Sequence, residues 1–297
     1  MKPAAFDYLR PSNVEEACQL LVEYGEEGKL IAGGQSLLPI LNMRLSTPEC
    51  LIDISGLQEL KYIHSEGDWL NIGALTRQRD VERSALVKEA APLLSEALPY
   101  IGHMQTRNRG TFGGSLVHAD PTAEIPLSLL ALNASVVIQS AEGAREVELN
   151  DFFITYLTTD IMPGEILREV KIPVGSIPMG YSFQEYSRKH GDFALVAAAC
   201  VLDTDEQNRI TGVRLTLGGV DAVPVLAADA ADLLIGEKLT DTLLQEASRA
   251  ASAHVDPEGD LHASREYRLH LAQVFAAKVM ETAYNRAVAK GGTACSR

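Results

Sequence analysis

Val14, Cys18, Leu21 and Val22 repeat at helical spacing near the start of the chain. Ser12-Asn13-Val14-Glu15 reads as a capping box in front of them, and Gly25 stands where such a helix would stop. Two runs then follow that are too short for helices, Lys29-Leu30-Ile31-Ala32 and Leu51-Ile52-Asp53-Ile54; both are expected to be strands. Residues 1–56 are therefore expected to form a small α/β unit closing near Ser55-Gly56.

Residues 57–176 read as a second α/β unit. Trp69-Leu70-Asn71-Ile72-Gly73 is strand-like, and Thr76 is placed to cap a helix through Val81 and Leu86. A further helix is expected from Ala91 to Leu98, with Pro92 in its first turn. Ile125 to Leu132 is apolar, Ala134 to Ile138 is a strand, and Glu169 to Pro173 is expected to be the last strand.

Gly175-Ser176-Ile177-Pro178 has the composition of a linker, and the pattern changes beyond it. Tyr181 to Tyr186, Ala194 to Leu202 and Ile210 to Leu217 predict a three-stranded antiparallel sheet. Two helices should follow, Asp241 to Ala253 and Ser264 to Ala287. Strands followed by helices make residues 177–288 an α+β domain. Residues 289–297, with Gly291-Gly292, read as a flexible tail.

The chain has 297 residues, 46% of them hydrophobic and 22% charged, which suits a globular protein with ample core material. Its net charge of −14 argues against nucleic acid or an anionic membrane as a partner. No signal peptide or spanning segment is visible, so a cytoplasmic location is expected. Cys18, Cys50, Cys200 and Cys295 are scattered, which suits buried or incidental reduced thiols better than a zinc or iron–sulfur site.

The chemistry concentrates in two runs. One is Ala32-Gly33-Gly34-Gln35-Ser36-Leu37; the other is Thr111-Phe112-Gly113-Gly114-Ser115. Glycine lets backbone approach a ligand closely, and successive N–H groups in such a turn can cradle phosphate oxygens. Either run alone is better explained as a tight turn. Neither matches G-x-G-x-x-G or a phosphate-binding P-loop. Two together are expected to wall in one dinucleotide, with Gly34→Val or Gly114→Val filling space meant for phosphate.

The flanks carry a resemblance. Phe6-Asp7-Tyr8, Ala32 to Ser36, Asp53-Ile54-Ser55, Gly73-Ala74-Leu75-Thr76, Arg107 to Ser115, Ala119-Asp120-Pro121, Gly218-Gly219-Val220 and Ser264 with Glu266-Tyr267-Arg268 occur in one order across the chain. In this the chain resembles the flavin-binding medium subunit of molybdenum hydroxylases, the group of bacterial carbon monoxide dehydrogenase and xanthine dehydrogenase. The resemblance implies an α+β fold: a two-part FAD-binding domain of the vanillyl-alcohol-oxidase (PCMH) type, then a smaller α+β domain. It implies non-covalent FAD wrapped by residues 32–36 and 111–115. Lys29, Leu37 and Asp120 would lie nearby, Glu124 and Met162 are weaker candidates, and Lys189 could reach the cofactor. Phe193 stands where the family usually has an aromatic, often Tyr, beside the isoalloxazine ring; ordinary core packing is the equal alternative. No catalytic side chain and no metal ligand is expected on this chain. The molybdenum cofactor would sit on a large partner subunit and [2Fe–2S] clusters on a small one, the whole assembling as a dimer of heterotrimers.

Arg107 and Arg109 can be read as phosphate neutralisers or as an ion-paired loop, the second being slightly favoured. His118 reads as a structural or lining residue, and Asp53 as a strand-end turn former. The clustered cysteines that an extra iron–sulfur cluster would need, as in benzoyl-CoA-type reductases, are not in this sequence. A stand-alone flavoprotein oxidase of the same fold and a non-catalytic nucleotide-binding assembly subunit stay open as alternatives.

Overall fold

The computed structural model describes residues 2–175 and 177–294, with the side chains of 292–294 left out. The first unit holds β1 (Asp7–Leu9), α1 (Val14–Tyr24), β2 (Gly28–Ile31), α2 (Leu37–Asn42) and β3 (Cys50–Asp53). Its three strands pair in parallel in the order β1-β3-β2. Val14, Ala17 and Cys18 of α1 bury against Cys50 and Ile52 of the central strand. Asn13 is the cap of α1, accepting from the Glu16 N–H at 2.8 Å. Glu16, one residue beyond the expected box, reaches back to the Ser12 N–H at 2.7 Å. Gly25, with φ +50°, ends the helix as anticipated. The first glycine run leaves the carboxyl end of β2, the edge of a parallel sheet where ligands commonly bind.

The second unit runs through β4 (Ile63–Glu66), β5 (Trp69–Gly73), α3 (Gln78–Arg83), α4 (Ala85–Ala90), α5 (Pro92–Ala97), α6 (Met104–Arg109), α7 (Phe112–His118), α8 (Glu124–Ala131), β6 (Ser135–Gln139), β7 (Ala144–Glu148), α9 (Leu149–Phe152), β8 (Phe153–Thr155), β9 (Thr158–Thr159) and β10 (Ile166–Pro173). Five of these strands form an antiparallel sheet, β4-β5-β10-β6-β7. The single helix expected through Val81 and Leu86 is two. Ser84 leaves the helical region and caps α4 through the Val87 N–H. Thr76 does not cap it, because its hydroxyl pairs with the backbone of Tyr62.

The third unit contains β11 (Gly180–Tyr186), β12 (Val196–Thr204), β13 (Ile210–Gly218), β14 (Val225–Leu226), α10 (Ala228–Leu234), α11 (Asp241–Ala253) and α12 (Arg265–Ala294). Its sheet has four strands rather than three, β11-β12-β13-β14, because two residues at Val225–Leu226 add an edge. Strand alternation explains the apolar run at 194–202. Ala197, Ala199 and Val201 join the core of the second unit, while Val196, Ala198, Cys200 and Leu202 pack with α12. The sheet is therefore covered on both faces. The two domains are also tied by Glu96, which accepts from the Phe183 N–H at 3.0 Å and pairs with Arg286 at 2.7 Å.

The helical end of the chain corrects the expected tail: α12 continues to Ala294, and residues 295–297 lie outside the described residues. Of the expected linker, Ser176 also lies outside them. Cys18, Cys50 and Cys200 are buried free thiols, as expected, and burial raises all three pKa values.

Candidate functional site

The two glycine runs meet. A Cβ built on Gly33 would strike the carbonyl oxygen of Arg109 and lie 2.9 Å from the Gly110 Cα. The approach at this seam needs a residue without a side chain. Gly34 has φ +71°, a left-handed turn that swings the chain from β2 into α2. Among the described residues, no hydrogen bond uses the N–H of Gly33, Gly34, Gln35, Ser36 or Leu37. Five successive backbone donors are thus left open along an accessible edge.

The second run is built differently from expectation. Residues 112–115 are the first turn of α7, with Thr111 as cap accepting from the Gly114 N–H at 3.2 Å. The Phe112 N–H goes to the Thr76 carbonyl (2.8 Å), that of Gly113 to Ala74 (2.9 Å) and that of Ser115 to Thr111 (3.3 Å). A side chain on Gly113 would run into Ala74, and one on Gly114 would lie 2.5 Å from Thr111 Oγ1. Gly113 thus allows close helix–sheet packing, and Gly114, which is exposed, allows the Thr111 cap. What the second run offers a ligand is the Thr111 N–H, unused among the described residues, and the half-buried Ser115 hydroxyl.

Around this seam the other candidates divide. Asp120 follows Ala119, which is left-handed, and accepts from the N–H (2.8 Å) and hydroxyl (2.7 Å) of Thr122, so it fixes the turn into α8. Glu124 opens α8; burial pushes its carboxyl up to about 7, and the charge of Asp120 also raises it. Ala32 and Leu37, the two ends of the first run, are half-buried. Lys29 and Met162 are both exposed, and no hydrogen bond or ion pair joins either to the runs among the described residues. Lys189 is exposed on the loop after β11, 3.7 Å from Asp192. Phe193 on the same loop is 76% exposed, which removes core packing as its role. This loop packs against the start of α6, whose other end carries the seam: the His103 and His190 rings are 6.3 Å apart, and Gly191 lies against the His103 ring. His118 ends α7, half-buried.

Arg107 and Arg109 have separate roles. Arg107 is 8% exposed and donates to Glu82 (2.9 Å) and to the carbonyls of Ile101 (2.9 Å), Pro99 and Gly102 (both 3.4 Å). It is structural, as slightly favoured. Arg109 is exposed. Sequence reasoning missed Arg77, whose guanidinium donates to the Arg109 carbonyl and whose backbone bridges Thr111.

One buried group gives a pH signature. Burial, then the charge of Glu124, pushes the Glu185 carboxyl up to about 8, and its Oε2 has no partner among the described residues. A raised carboxyl pKa means that the folded state holds a proton the unfolded chain has lost. The stability cost grows as pH rises from about 4.5 to about 8. Glu185→Gln is expected to match the parent in urea unfolding at pH 5 and to be more stable at pH 8.5. An equal difference at both pH values would reject this.

Comparison with known proteins decides the family. Residues 4–175 match the FAD binding domain in molybdopterin dehydrogenase, and residues 181–283 match the CO dehydrogenase flavoprotein C-terminal domain. The chain belongs to the flavoprotein subunits of molybdopterin dehydrogenases. It is 39% identical to the 6-hydroxypseudooxynicotine dehydrogenase complex subunit alpha of Paenarthrobacter nicotinovorans, covering 97% of each chain. It is 35% identical to the carbon monoxide dehydrogenase medium chain of Afipia carboxidovorans, covering 97% of this chain and 99% of that one. Its fold superposes on carbon monoxide dehydrogenase from Hydrogenophaga pseudoflava with a TM-score of 0.94 at 34% identity, covering 96% and 99% of the two chains. The chain is an oxidoreductase subunit with an FAD-binding domain of the expected two-part architecture. The open donors at 33–37 and 111 fit the pyrophosphate of that cofactor, which backbone N–H groups bind well. Among the described residues, no helix is long and apolar enough to cross a membrane.

Proposed function

We propose that this chain is the FAD-carrying electron-transfer subunit of a heteromeric molybdenum hydroxylase in the cytoplasm. Electrons would arrive from [2Fe–2S] clusters on a small partner subunit, having left substrate at a molybdenum cofactor on a large one, and would leave to an external acceptor. The proposed assembly is a dimer of such heterotrimers. Bound FAD would supply the redox chemistry itself.

The observation that carries this reading is the seam of N–H groups at 33–37 and 111, unpartnered among the described residues and formed where two separate units of the fold touch. The protein's part is to bind and orient. The N–H row takes the pyrophosphate, with Ser36 and Ser115 as further donors and Gln35 held by its bond to the Gly33 carbonyl. Thr111 fixes the first turn of α7. Phe193 offers an exposed ring face for stacking, with Lys189 on the same loop. Lys29, Asp120, Glu124 and Met162 are proposed for the rim of the site. Chains similar to this one serve complexes named for unlike substrates, a nicotine derivative and carbon monoxide. That suits a subunit that does not itself select substrate.

The purified full chain should show a flavin absorbance band and release one FAD per chain on acid precipitation. A flavin-free protein would reject the reading. A tagged chain should draw a molybdopterin subunit and a two-cluster ferredoxin-like subunit from its own host. Turnover of simple alcohols or amines by the isolated chain would instead identify a stand-alone oxidase.

A further inference from the structure

Two arginines at the glycine seam, Arg77 and Arg109, form no ion pair among the described residues. Their sequence neighbours do: Arg79 and Arg107 both pair with Glu82, at 2.8 and 2.9 Å. Arg44, Arg83 and Arg249 also form no ion pair among the described residues, so what singles out Arg77 and Arg109 is their place at the seam.

Their position is specific. Arg77 donates to the Arg109 carbonyl, the same oxygen that a Cβ on Gly33 would strike. Arg77 also bridges Thr111, whose N–H is open. The half-buried guanidinium, the Gly33 backbone and the start of the second run therefore meet around one carbonyl group. Burial and the neighbouring Arg109 charge both lower the Arg77 pKa, while Asp80 and Asp53 offset them in part. Adding an anion there relieves repulsion between the arginines and supplies charge-assisted bonds.

We propose that Arg77 and Arg109 are the charge-selective element of the cofactor site, a guanidinium pair whose counter-ion is the pyrophosphate of the flavin dinucleotide. This rests on the FAD reading above. The N–H row fixes where the phosphates lie, and the guanidinium pair makes a doubly anionic ligand preferred over a neutral flavin.

The test is a titration of the apo full chain with FAD, followed by flavin fluorescence at low and high sodium chloride, with riboflavin in parallel. Arg109→Gln loses no hydrogen bond or ion pair of its side chain among the described residues, so it is expected to fold normally. Arg77→Gln loses charge and the carbonyl bond; Arg77→Lys keeps the charge. Each Gln variant should bind FAD roughly 10- to 100-fold more weakly. The double variant should lose most of the salt dependence, Arg77→Lys should retain most of the affinity, and riboflavin binding should be unchanged. If parent and double variant bind FAD with the same affinity and salt slope, the pair plays no such part and the FAD reading stands. If the parent binds no FAD under any condition, the FAD reading itself falls.

Discussion

Gly33→Ala is expected to strip FAD from the protein, weakening binding about 100-fold while the chain still folds. The added methyl group would point at the Arg109 carbonyl oxygen and the Gly110 Cα. Backbone atoms cannot rotate aside as a side-chain end can, so the first run must lift away from α6. The open N–H groups of 33–37 would then shift relative to that of Thr111. Losing two charge-assisted backbone bonds at roughly 1.5 kcal/mol each gives a factor of about 100. Gly34→Ala should do less. Its cost is roughly 1–2 kcal/mol for a left-handed residue with a Cβ, and its nearest neighbour is the Leu38 side chain at 3.1 Å, which can move. Gly114→Val should do least, because it crowds only the Thr111 cap, worth about 1 kcal/mol. Flavin content per chain after purification, with circular dichroism as a folding check, tests the order. Gly33→Ala with a full complement of FAD would overturn it.

That order differs from what the glycine pattern alone suggests. The sequence marks the two runs, but not which side of each glycine is crowded. Gly113-Gly114 reads as a turn because glycine is a poor helix former. Yet Phe112 and Leu116 stand four apart and bury the inner face of α7, and that packing overrides propensity. Arg77 carries no local signal at all. Its importance comes from an antiparallel bridge to Thr111, a tertiary contact between distant segments.

The fold was legible where burial is periodic, as in α1 and α11. The continuous apolar run at 194–202 showed that β12 is covered on both faces, but not that the second unit supplies one cover and α12 the other. The short edge strand β14 and the seven-residue α10 are too brief to leave a period. Phe193 shows the limit from the other side: an aromatic beside Gly191-Asp192 suits a core or a ligand face equally. Only its 76% exposure separates them.

The second large effect is expected at Arg107, away from any ligand. Arg107→Met should lower the melting temperature by about 6–20 °C and loosen FAD binding as a consequence. The guanidinium serves three carbonyls, those of Pro99, Ile101 and Gly102, and pairs with Glu82. Burial raises the Glu82 pKa, but the bonds from Arg107 and Arg79 outweigh it and hold the carboxylate below its ordinary value. Methionine fills the volume but leaves the carbonyls without a donor and the carboxylate with only Arg79. Removing one partner of a buried pair costs roughly 3–5 kcal/mol. In a chain of this size each kcal/mol is worth about 2–4 °C in the melting temperature. The turn at 99–102 leads directly into α6, and the end of α6 is the surface on which Gly33 rests. Loosening that turn therefore frees one wall of the glycine seam. Arg107→Lys should recover the pair with Glu82 but not the fork to three carbonyls, and so fall between the two. Scanning calorimetry of both variants, with and without added FAD, separates the effects. A shift under about 2 °C for Arg107→Met, below 1 kcal/mol, would show that the carbonyls find other partners and that α6 does not depend on this residue.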